Sequence, residues 1–185
     1  MIYIALLRGI NVGGKNKIKM AELRNVLETI GLNRVQTYIQ SGNILFESNE
    51  KEEPLQKQIE KRIEEGFGYS INVILRTATE LERIIRNCPF SEKSISEAEA
   101  SAAGESLYVA LLPNPPSQEG IKRLSNYKNE KESYQIVGRE IYLLFHHSIR
   151  NSHLARSIQK LGMPVTVRNW KTLNKLDTMV NERNI

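Results

Sequence analysis

Three segments of this chain gather side chains able to bind anions. The first reads Arg8-Gly9-Ile10-Asn11-Val12-Gly13-Gly14-Lys15-Asn16-Lys17, the second Tyr38-Ile39-Gln40-Ser41-Gly42-Asn43, and the third Arg168-Asn169-Trp170-Lys171-Thr172. Arginine offers a planar fork to carboxylate or phosphate, and lysine a point charge. Glycine exposes backbone N–H groups and lets a ligand come close. Arg8, Asn11, Gly13, Gly14 and Lys15 are therefore the candidates to grip an anion. Gln40, Ser41 and Asn43 would read its polar groups, and Arg168, Asn169 and Lys171 would contribute from late in the chain. Turn chemistry is the competing explanation, because tight loops need Gly and Asn for their backbone alone.

Other chemistries fail on residue type or spacing. Gly9-x4-Gly14-Lys15 nearly spells a phosphate-binding P-loop, but Asn16 follows where a Ser or Thr would meet magnesium, and the next helix starts near Lys19. Reading the acids one by one gives 20 Glu and one Asp, Asp177, which removes mechanisms built on clustered aspartates. No Ser-His-Asp set or nucleophile elbow is legible. His146 and His147 are adjacent and would point to opposite faces of a strand, so no metal site is expected. Cys88 stands alone, which excludes an intramolecular disulfide, and nothing marks it as a nucleophile. No cofactor and no general acid or base can be named, so the sequence leaves open whether the protein is an enzyme.

The 185 residues suffice for one sizeable domain or two small ones, and 40% hydrophobic with 25% charged residues is ordinary globular composition. The longest apolar run is about six residues, far short of a membrane span. A cytosolic monomer with no membrane partner is expected. The net charge of +5 permits an anionic partner, either a small molecule or a nucleic acid. Basic residues are spread evenly, with 13 in residues 1–90 and 13 in 91–185, so neither half is a strongly basic domain. The third strand, Asn43-Ile44-Leu45-Phe46-Glu47, lacks the Arg/Lys-Gly-aromatic motif of RNA-binding sheets.

The elements that must carry these residues repeat. Ile2-Tyr3-Ile4-Ala5-Leu6-Leu7 returns as Leu107-Tyr108-Val109-Ala110-Leu111-Leu112, and both read as buried strands. After the first come a helix with Met20, Leu23, Leu27 and Ile30 at helical spacing, and two strands, Arg34 to Gln40 and Asn43 to Glu47. A helix with Leu55, Ile59 and Ile63 and a strand from Ile71 to Arg76 follow. The second half shows the same order, and Val73, Arg76 and Leu81 match Val165, Arg168 and Leu173 at one constant offset. The expected fold is α+β: two ferredoxin-like βαββαβ units in tandem, residues 1–88 and 105–185, each with an added C-terminal helix. Residues 89–104, rich in Ser, Glu and Ala, read as a linker or flap. Taking the fourth strand as parallel to the first, all three anion-binding segments would fall at one sheet edge.

Several of these segments resemble the bacterial domain-of-unknown-function family 1697. The likeness lies in Leu6-Leu7-Arg8-Gly9-Ile10-Asn11-Val12-Gly13-Gly14, Lys19-Met20 with Leu23, Thr37-Tyr38-Ile39-Gln40-Ser41-Gly42-Asn43, and Arg168-Asn169-Trp170-Lys171-Thr172. The resemblance implies a soluble bacterial protein with a two-part α+β fold, and brings no reaction, cofactor or catalytic residue. The chain departs from the family pattern at Cys88, interposed before Pro89-Phe90, and at His153, where Lys is common. Three readings of function stand together: a cytosolic protein binding a phosphate- or carboxylate-bearing ligand at the loop edge, an enzyme using the same rim, or an RNA-binding or structural protein.

Overall fold

The computed structural model of the chain describes residues 1–184. Short apolar runs become strands β1 (Ile2–Leu7), β2 (Asn33–Tyr38), β3 (Asn43–Glu47) and β4 (Val73–Thr77). The 3.6-residue repeats between them become α1 (Met20–Glu28) and α2 (Glu52–Phe67), and α3 (Ala78–Arg86) follows β4. Later come α4 (Glu92–Ser101), β5 (Leu107–Leu111), α5 (Gln118–Leu124), β6 (Glu132–Val137), β7 (Glu140–Phe145), α6 (His153–Ile158), β8 (Thr166–Asn169) and α7 (Trp170–Arg183). The fold is mixed α+β with two four-stranded antiparallel sheets, ordered β2-β3-β1-β4 and β6-β7-β5-β8. Two compact units divide the chain: Met1–Arg83 with the residues from Lys175 onward, and Ile84–Asn174.

In the first unit, alternate residues of the central strands meet α1 and α2. Tyr3, Ala5 and Leu7 of β1, Ile44 and Phe46 of β3, and Val73 and Leu75 of β4 form one core with Leu23, Leu27, Leu55, Ile59 and Ile63. The Tyr3 and Phe46 rings stack at 5.7 Å. Ile4, Leu6, Leu45 and Ile74, on the opposite face, are buried as well, which is why β1 reads as an unbroken apolar run. The C-terminal end of α7 joins this unit through Arg183, whose Nη2 donates to the backbone oxygens of Arg34 and Leu45. In the second unit, Ala110, Ile141, Leu143 and Phe145 pack with Leu124, Leu154, Ile158 and Val165.

One expectation is corrected. The fourth strand runs antiparallel to the first, not parallel: Tyr3 faces Thr77 and Leu7 faces Val73. The element order already required this. A helical crossover keeps its flanking strands parallel, so β1 matches β2 and β3 matches β4, while the β2–β3 hairpin reverses direction. The same holds for β8 against β5, where Leu111 faces Thr166 and Tyr108 faces Asn169. The stretch 89–104, read as a linker or flap, carries α4. Its N-terminus is capped by Ser91, whose Oγ accepts from the Ser94 N–H, and Ala98 is buried in a cluster with Leu107 and Leu144. A helix that buries one alanine shows little apolar periodicity in sequence. No helix among the described residues is long and apolar enough to cross a membrane.

Candidate functional site

The edge where β1 ends joins three connections of the first unit. Leu7 N–H donates to the Gly42 oxygen of the β2–β3 hairpin at 2.9 Å, and Arg8 N–H donates to the Asn72 oxygen ahead of β4 at 3.0 Å. Gly42 has φ +84°, and a Cβ there would lie 2.7 Å from Leu7 Cβ and 2.8 Å from Ile10 Cδ1. Only glycine permits that approach. Beyond Leu7 the chain makes a small hairpin, in which Val12 bridges Lys15 and the Lys15 N–H donates to the Val12 oxygen at 3.0 Å. Gly13 and Gly14 both have positive φ, the signature of a primed two-residue turn.

Asparagines lock this edge. Asn11 Nδ2 donates to the Gln40 oxygen at 2.8 Å and to the Ile18 oxygen at 3.0 Å, while its Oδ1 accepts the Ile18 N–H at 2.9 Å. Asn16 Nδ2 donates to the Gly9 oxygen at 3.0 Å. Asn43 is wholly buried, and its Nδ2 donates to the Tyr38 oxygen and to Ser41 Oγ. The loop after β1 and the hairpin are therefore one hydrogen-bonded structure.

Beside Asn11, Gly14 and Gln40 opens a groove of about 540 Å³, completed by Lys17, Ile18, Lys19 and Glu22. Its volume is in the range of small-molecule sites. Ile18 is buried, while Lys17 and Lys19 on either side of it are exposed. In extended chain, alternate residues leave the backbone about 6–7 Å apart on one side, and Lys19 has extended dihedrals. Glu22 lies 3.8 Å from Lys19 Nζ in a solvent-exposed pair, which holds little energy. Two ammonium groups against one carboxylate leave the groove net cationic.

Of the expected residues, Arg8, Asn11, Gly13, Gly14, Lys15, Gln40, Ser41 and Asn43 share this edge. Arg168, Asn169 and Lys171 do not occupy the equivalent edge of their own sheet. Arg168 and Asn169 pair with Val109 and Tyr108, at the end where β5 begins. Arg168 is half-buried, with Nη1 donating to the Val167 oxygen, and desolvation pushes its guanidinium down to about 10. Asn169 caps α7, its Oδ1 accepting the Thr172 N–H at 2.8 Å, and Lys171 is exposed in the first turn of that helix. Lys17, Lys19 and Glu22 lie outside the expected set. For the lysines the signal is the alternation Lys15-Asn16-Lys17-Ile18-Lys19, in which one apolar residue turns inward between lysines; Glu22, in the first turn of α1, carries no such signal.

Elsewhere, His147 Nε2 meets the buried Glu132 Oε1 at 3.1 Å. No group of three or more His, Cys, Asp or Glu among the described residues could hold a metal ion. Burial pushes the Cys88 thiol up, away from the reactive thiolate. The resemblance of Gly9 to Lys15 to a P-loop ends in the hairpin, because α1 begins at Met20, beyond the groove-lining lysines.

The structure is similar to that of the conserved bacterial protein SP0830 from Streptococcus pneumoniae, with a TM-score of 0.74 and 27% identity over 96% of this chain and 97% of that one. No curated protein matches the sequence. Residues 1–142 match the model of DUF1697, a protein family of unknown function, and the chain belongs to that family.

Proposed function

We propose that this protein is a soluble, cytosolic binding protein for an anionic ligand, with the first unit's groove as its site. We also read the two sheets, which have one strand order, as duplicated ferredoxin-like units of a monomer. The observation that carries the binding reading is the groove itself. It is a concave, net cationic space at an edge where a glycine turn and an asparagine clamp hold two loops together. Lys17 and Lys19 supply charge to a phosphate or carboxylate, and the Gln40 amide and the Gly14 backbone supply directional contacts. Asn11, Gly13, Asn43 and Ser41 keep the shape. Arg8 adds charge at the same edge.

A concave site of this size favours a small molecule over a nucleic acid, which tracks along extended basic surfaces. Titration calorimetry against inorganic phosphate, pyrophosphate, a nucleoside monophosphate, succinate and a short single-stranded RNA tests the reading. At least one anion is expected to bind, with affinity falling tenfold or more in K17A/K19A, a difference of about 1.4 kcal/mol. A ligand at about one hundred times its Kd adds roughly 2.7 kcal/mol of stability, visible as a thermal shift. Silence across the panel, or equal binding by K17A/K19A, overturns the reading.

A further inference from the structure

We propose that the ligand of this groove is amphiphilic, with an anionic group held by Lys17 and Lys19 and an aliphatic body resting on Val12 and Ile39. This inference rests on the anion-binding reading above and supplies the other half of the ligand.

Ile39 is the informative residue. Its φ is +49°, a left-handed conformation that a β-branched side chain rarely adopts. Glycine takes that conformation freely and asparagine with little penalty. This same edge uses Gly9, Asn11, Gly13, Gly14, Asn16 and Gly42 at its other positive-φ positions. Ile39 is also 49% exposed, so about half of its surface stays in water. An exposed aliphatic residue alone is ordinary. A residue that is both backbone-strained and hydrated, where Asn would avoid both, points to a contact made only with a partner.

Val12 supplies the second observation. It is 64% exposed on the small hairpin, next in sequence to Asn11. Ile39 is next to Gln40, and the 2.8 Å bond from Asn11 Nδ2 to the Gln40 oxygen joins the two positions. Asn11 and Gln40 both line the groove with Lys17 and Lys19, and each stands next in sequence to one of the exposed aliphatics. The pairing of two cations with two aliphatic side chains complements an anion that carries an alkyl group. Bases and other flat rings stack on aromatic or Arg side chains, and neither exposed residue is of that kind.

The experiment uses the full chain and an alkyl series: inorganic, ethyl, butyl and hexyl phosphate, measured by titration calorimetry. Affinity is expected to rise along the series, by up to about fourfold for each methylene that becomes buried. In I39N the melting temperature is expected to rise, inorganic phosphate to bind as before, and the dependence on chain length to flatten. V12T is expected to weaken that dependence without touching the strained turn. A flat series in the wild type, with inorganic phosphate still bound, overturns this inference and leaves the anion site standing. An unchanged slope in both variants overturns it as well. Failure of every phosphate to bind overturns both. Co-sedimentation with phosphatidylglycerol but not phosphatidylcholine vesicles assigns the alkyl anion to a lipid surface. A chain-length slope without sedimentation assigns it to a free amphiphile.

Discussion

Replacing Gly42 by alanine tests the closeness on which the whole edge depends. Two penalties act at this position. The backbone sits at φ +84°, and holding an L residue there costs about 1–2 kcal/mol. The new methyl would lie 2.7 Å from Leu7 Cβ, which is anchored to the backbone of β1, and 2.8 Å from Ile10 Cδ1. Overpacking of this kind costs about 1–3 kcal/mol. The sum is roughly 2–5 kcal/mol, a large share of the roughly 5–15 kcal/mol that stabilises a folded domain. Gly14→Ala is the matched control, because Gly14 has φ +74° and no atom would lie within 4 Å of its added methyl. It should lose only the conformational part. Urea unfolding followed by circular dichroism, with m unchanged, reads both values. The difference between the variants should be at least about 1 kcal/mol, the low end of the packing cost. Equal losses would refute the close approach of hairpin and loop, and with it the argument that the groove has a built wall.

Asn11→Gly keeps a residue that accepts positive φ but removes the clamp; it should cost about 1–3 kcal/mol and speed hydrogen exchange at the Ile18 amide, which loses its acceptor. Asn169→Ala should destabilise the protein by about 0.5–2 kcal/mol through loss of the α7 cap, while Asn169→Asp, which retains an acceptor for the Thr172 N–H, should lose little. Stability should fall in alkali: burial raises the phenols of Tyr3, Tyr108, Tyr134 and Tyr142, so the folded state keeps protons that the unfolded chain releases above about pH 10. That stability is present below pH 10 and lost as pH rises through the folded values. Arg168 and Arg183, both lowered by desolvation, act in the opposite sense but are fewer. Melting temperature against pH, with phenolate absorbance followed in parallel, checks the sign.

The strands and helices were legible because burial imposes period on sequence. The run Ile2 to Leu7 has a strand's length rather than a helix's, and Met20, Leu23 and Leu27 share one face of a helix. The direction of the fourth strand was equally determined by element order, and assigning it wrongly placed Arg168 and Asn169 at the wrong end of their sheet. What sequence could not separate was the two uses of the same residue types. Gly13-Gly14-Lys15 suits an anion cradle and a primed turn alike; the positive dihedrals show the turn, and of the three only Gly14 lines the groove. Asn11 suits a ligand contact and a loop clamp alike, and its bond to a backbone oxygen 29 residues away assigns it to the clamp. Beside those shape-holding residues, Lys17 and Lys19 are the cationic side chains that line the groove.

Ile39 carries this reasoning one step further. In sequence it is one more apolar residue of a strand, and its cost is invisible until its dihedral and its exposure are known together. Local preference and global fold agree almost everywhere along this edge, where Gly and Asn occupy the other positive-φ positions. The position where they disagree is therefore the one that folding alone does not explain. Relief of the disagreement by Ile39→Asn should be worth about 1–2 kcal/mol in stability. If the same change also erases the preference for alkyl phosphates, strain and binding are two faces of one residue. If it stabilises the protein and binding is indifferent, Ile39 is only an imperfect turn.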